Sequence, residues 1–123
     1  MKVGMFMMPL HPLEKDRTQT FEEDTACILL ADKLGFSEAW IGQHHTAAWE
    51  PIPSNDLFIA NLLPQTQNIR LGTGVTISTQ HHPANVAVRL AIWRRADSTS
   101  TLGKVACRPI GGSSSCRIRG HRG

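Results

Sequence analysis

The order of elements readable in this chain predicts an α/β fold built on a parallel sheet, either open or part of a barrel. Two observations carry the prediction. Short runs rich in apolar and β-branched residues alternate three times with segments of helical period. Each helical segment is long enough for the right-handed crossover that brings the next strand back parallel to the last. With 123 residues, 41% of them hydrophobic, the chain suffices for one domain with a modest core and is too short for two.

Taken in order, Val3 to Met8 is a continuous apolar run closed by Pro9 and Pro12, which suits a strand covered on both faces. Thr20 and Glu23 fit a capping box, so a helix is expected from about Phe21 to Leu34, with Ala26, Leu30 and Leu34 on its inner face beside Cys27 and Ala31. Gly35 stands where a left-handed cap is wanted. Phe36 and the stretch SEAWIGQHHT form the second strand. Ser54 or Asn55 then caps a second helix, which Pro64 keeps short or kinked. Ile69 to Ser78 reads as a third strand whose glycines mark a bulge or a close approach. Pro83 fits the first position of a third helix, in which Val86 and Leu90 recur at four-residue spacing.

From Arg94 the pattern stops, so residues 1–93 and 94–123 are read as two kinds of sequence. The first part carries six Lys/Arg against nine acids, the second seven against Asp97 alone, so the basic balance belongs to the tail. A basic nucleic-acid arm is disfavoured, because no aromatic residue lies among the scattered arginines to stack on bases. An out-of-frame origin suits the Arg, Gly, Ser and Cys content better. Three cysteines without ligand-like spacing exclude a disulfide framework or a zinc site, and a cytoplasmic location is the expectation. Met1 to Leu10 is broken by Gly4 and Pro9 and reads as a strand rather than a secretion signal.

In a parallel α/β fold, ligands meet the carboxyl ends of the strands. Here those ends are Met8-Pro9, Gln43-His44-His45 and Ser78-Thr79. A histidine at such a place serves as acid, base, ligand or hydrogen-bond partner near neutral pH, or simply ends the strand in water. No carboxylate or thiol accompanies the histidines at a metal-binding spacing, so no metal is expected.

MKVGMFMMP, then LGFSEAWIGQHHT, then IRLGTGVTISTQHHP occur in the order found in the bacterial luciferase-like flavin monooxygenases, and residues 1 to about 92 resemble the amino-terminal part of that family. The resemblance implies a (β/α)₈ TIM barrel in which reduced FMN and O₂ oxidise a small organic substrate, with the FMN supplied by a separate flavin reductase. It implies that His44 is the catalytic histidine, and that Gly74 and Val75 contact the cofactor across a non-proline cis peptide. His45 carries no assigned role, and His82-Pro83 is a helix entry. The family often has an acid where Gln43 stands, so the charged partner of the histidine is in question.

A complete barrel takes about 250 residues. The expectation is therefore an incomplete barrel of about three β/α units plus an irregular tail, a truncated and inactive fragment of the monooxygenase. Alternatives are a deazaflavin (F420)-dependent oxidoreductase of the same fold and a non-catalytic fragment that docks to a homologue. A homo-oligomer stays open.

Overall fold

A computed structural model describes residues 1–99 and 106–107 of the chain. Its elements are β1 (Gly4–Met7), α1 (Arg17–Lys33), β2 (Glu38–Ile41), α2 (Asn55–Leu62), β3 (Arg70–Thr73), a 3₁₀ turn (Ser78–Gln80), α3 (Pro83–Thr99) and β4 (Ala106–Cys107). The sheet is parallel throughout in the order β1-β2-β3-β4, with Met7 level with Ile41 and Ile41 level with Thr73. This is the predicted alternation, and it forms a partial barrel.

The pleat sends alternate residues to opposite faces. On one face Met7, Ala39, Ile41 and Leu71 are buried with Ile28 and Ala31 of α1 and Phe58, Ile59 and Leu62 of α2. Phe6 and Trp40 are level with one another on the other face, where Phe6 is 59% exposed. The first strand is thus not covered on both faces as its apolar run suggested. The helices lie on one side of the sheet, and among the described residues no element covers the other.

Helix α1 begins one turn before the predicted capping box. The Asp16 carboxylate accepts from the Gln19 backbone N–H at 3.0 Å, and the Thr20 hydroxyl donates to the Arg17 carbonyl inside the helix. Asp16 wins because the earlier start turns Thr20 and Asp24 inward, with Ile28, Ala31 and Asp32 continuing the buried stripe. Leu30 and Leu34, expected inside, are 55% and 67% exposed. The polar residues hold the inner positions because each has a partner there. His11 bonds the Asp24 carboxylate at 3.0 Å, and Asp32 accepts from the backbone N–H groups of Gln67, Asn68 and Ile69 at 2.7 to 2.8 Å.

The end of α1 follows the prediction. Gly35 has φ +81°, its N–H reaches the Asp32 carbonyl and that of Phe36 reaches the Ala31 carbonyl, the paired bonds of a Schellman cap. Helix α2 is short, as Pro64 requires, and Phe21 of α1 meets its Phe58 edge-on at 5.0 Å. Strand β3 is shorter than the β-branched run suggested. The Gly74 N–H makes a last bond to the Ile41 carbonyl, but β2 ends at Ile41, so among the described residues those after Gly74 have no neighbouring strand to pair with. Pro83 opens α3, and the His82 ring accepts from the Ala84 N–H, which caps the helix. That helix continues past Trp93 to Thr99, and β4 adds two further residues from the tail. The remainder of 94–123, with Cys116 and His121, lies outside the described residues. No helix among the described residues is long and apolar enough to cross a membrane.

Candidate functional site at the carboxyl ends of the strands

The loop after β2 is set by the packing of its backbone. The Gly42 N–H bonds the Met7 carbonyl and the His44 N–H bonds the Ile52 carbonyl, so Gln43 is held between two anchored residues. Gln43 turns inward and is buried, whereas the His44 side chain is half exposed. The carboxylate that meets His44 stands not at position 43 but six residues along the same loop. His44 Nδ1 meets the Glu50 carboxylate, and Glu50 is almost fully buried. Sequence reasoning passed over Glu50, although it is the single acid between Glu38 and Asp56. Arg17, Phe21 and His45 share the recess in which this pair sits.

The loop after β3 carries the second group of expected residues. The peptide bond between Gly74 and Val75 is cis, as the resemblance implied. Gly74 lies against the open sheet face, where a Cβ would come 2.8 Å from Cε2 of Phe6 and 3.3 Å from Cβ of Trp40. Val75 is partly exposed beside them. The Thr73 and Thr76 hydroxyls bond one another at 2.9 Å and close the turn.

Asn55 joins the two loops. Its side-chain amide donates to the Ile41 carbonyl at 2.8 Å and to the Val75 carbonyl at 3.2 Å, while its backbone N–H donates to the Gln43 side-chain oxygen at 3.1 Å. The sequence marked Asn55 only as a possible cap. Its place at the start of α2, between the ends of β2 and β3, explains why a buried amide is used here. Three acceptor oxygens at unlike angles need donors from a single point, and an asparagine offers two on its side-chain amide beside its backbone N–H. The Gln43 side-chain nitrogen has no partner among the described residues, and Gln43, Asn55, Thr76 and His81 line a small recess under α3.

Two further carboxylates shape the surroundings. At Asp56 burial pushes the carboxyl upward, but the Ser54 hydroxyl, the Leu57 N–H and Arg89 together hold it below its ordinary value. At Asp24 burial dominates over the His11 bond and raises it. His11, unassigned by the sequence, bonds the Trp49 carbonyl through its backbone N–H, so it ties the loop after β1 both to α1 and to the loop carrying Glu50.

The structure therefore brings Gln43, Asn55 and Val75 into one hydrogen-bonded unit and turns His44 to Glu50. It places both groups beyond the carboxyl ends of adjacent parallel strands. Fold and site together define a partial β/α barrel whose polar groups gather at the end where such barrels receive ligands. Residues 1–92 match the family described as luciferase-like monooxygenase, and the chain belongs to that family. It is 44% identical over 86 residues to the 4-hydroxyprotoasukamycin monooxygenase of Streptomyces nodosus subsp. asukaensis, a match covering 70% of this chain and 23% of that protein. It is 37% identical over 89 residues to the limonene 1,2-monooxygenase of Rhodococcus erythropolis, covering 72% and 23%. Among solved structures, the oxygenating constituent of 3,6-diketocamphane monooxygenase from Pseudomonas putida, in complex with FMN, superposes with a TM-score of 0.73 at 27% identity. That superposition covers 78% of this chain and 26% of the other. The chain thus spans about a quarter of the length of these relatives.

Proposed function

We propose that this chain carries the first part of a flavin-dependent monooxygenase site, in which reduced FMN from a separate flavin reductase and O₂ oxidise a small organic substrate in the cytoplasm. The observation that supports this reading is the pairing of strand ends. His44 follows β2, and Gly74-Val75 follows β3 beside it on a parallel sheet.

The residues present fit the ring of a flavin. Phe6, Gly74 and Val75 offer an apolar surface with no described element above it, and planar aromatic groups bind well to surfaces of that kind. When bound, reduced FMN supplies the electrons for oxygen activation. The chain's own residues orient and exchange protons: Gly74 and Val75 support the ring, Asn55 holds the Val75 carbonyl, and the His44 imidazole takes up or releases a proton. The phosphate is less well served among the described residues, since Arg70 and Arg89 are already paired with Glu38 and Asp56 and Arg17 is the only arginine lining the recess of His44.

This balance predicts weak binding by the chain alone and no turnover. Titration of the purified chain with oxidised and reduced FMN, followed by flavin fluorescence, is expected to give a dissociation constant in the millimolar range, equivalent to about 4 kcal/mol. Micromolar binding with oxygen-dependent product would refute the proposed inactivity. Absence of any binding, even when Phe6 and Val75 are unaltered, would count against the flavin reading itself.

A further inference from the structure

The contact between His44 and Glu50 decides more than the presence of a charged partner. Glu50 is 6% exposed, and among the described residues its carboxylate has a single side-chain partner, Nδ1 of His44. A buried carboxylate without a donor is costly, and an ionised carboxylate can only accept hydrogen bonds. The nitrogen that faces it must therefore carry the proton. Neither end of the pair is free to drift. The His44 N–H is tied to the Ile52 carbonyl at 3.4 Å, the Glu50 N–H to the Ala47 carbonyl at 3.1 Å, and the Trp49 carbonyl to the His11 N–H at 2.8 Å.

We infer that Glu50 is a positioning residue that fixes neutral His44 in the Nδ1–H tautomer and leaves Nε2 as its unprotonated nitrogen. Isolated imidazoles in peptides divide between the two tautomers, so a fixed acceptor at Nδ1 selects one that the ring would not adopt uniformly by itself. His44 then presents a proton acceptor at Nε2 with its lone pair directed away from Glu50. The consequence for catalysis rests on the flavin-site reading above, but the tautomer does not. Arg17 and His45 line the same recess. His45 faces the His81 ring at 6.5 Å and has no carboxylate partner among the described residues, so it serves as an internal reference.

The test is long-range ¹H–¹⁵N spectroscopy of the full chain, at a pH where the imidazoles are neutral, without flavin. The wild-type spectrum is expected to show His44 with a protonated Nδ1 and a bare Nε2. In Glu50→Leu the ratio of the two tautomers should change roughly tenfold towards Nε2–H, as loss of a hydrogen bond to a charged group implies, while His45 stays unchanged. Should Glu50→Leu fail to fold, the wild-type spectrum alone decides. A wild-type His44 protonated on Nε2 overturns the inference, as does a Glu50→Leu spectrum identical to wild type. Either result leaves the FMN titration, which tests the flavin reading, unaffected.

Discussion

Asp32 shows how a single side chain in this fold acts at long range. It sits in the last turn of α1, where the helix dipole gives a carboxylate no help, yet it is buried and serves the turn before β3. Burial is the largest single influence and pushes its carboxyl upward, but three backbone N–H donors together hold it below the ordinary carboxylate range. A group whose folded value lies below its unfolded value contributes stability above the unfolded value and loses it as pH falls through the folded one. Asp32→Ala is expected to cost about 2 to 3 kcal/mol near neutral pH. It should also flatten the acid limb of stability against pH, read from urea midpoints at pH 3 to 7. An unchanged acid limb would show that the three bonds do not matter. The helical spacing of the apolar residues could not reveal this role, because Asp32 looks like any exposed helix end until residues 67 to 69 arrive beside it.

At the scale of elements, the junction of β2, α2 and β3 depends on Asn55. It is buried to 1% exposure and supplies bonds to Ile41, Val75 and Gln43 from one position. Asn55→Ala keeps the backbone bond to Gln43 and removes the two side-chain bonds, leaving the Val75 carbonyl short of a donor while the Ile41 carbonyl keeps only the Gly74 N–H. The expected loss is about 2 to 4 kcal/mol. Faster amide exchange should accompany it, concentrated at Gly74 and the residues after it and sparing α1. Uniform loss of protection would mean that Asn55 supports the whole fold rather than this junction. The existence and order of these elements were legible from periodicity, and so were the Gly35 cap and the Pro83 helix start. The start of α1 was not, since Asp16 and Thr20 both fit a cap and only burial of Thr20 and Asp24 separates them.

For the whole molecule, the decisive feature is a sheet with helices on one side and Phe6 exposed on the other. A dye that fluoresces on apolar surfaces is expected to bind the folded chain, and Phe6→Thr should reduce that signal without a large loss of helix content by circular dichroism. Equal dye binding by the variant would place the apolar surface elsewhere, for instance at Leu30 and Leu34, which are also exposed. The family match over residues 1–92 stops close to Trp93, where the apolar pattern of the sequence also ends, yet α3 runs on to Thr99. Helix propensity and the pull of an established helix carry the chain beyond the point where its pattern ceases.

By itself, the amino-acid sequence determined the alternation of strands and helices, the strand ends that receive polar groups, and the family, because these are written in local period and in short motifs. It left open which side of each element is buried and which residues meet. Those were decided by tertiary structure. The partners of Asp32 and Asn55 come from other loops and strands, that of His44 from six residues further along its own loop, and a carboxylate or amide is retained inside only where such groups satisfy it.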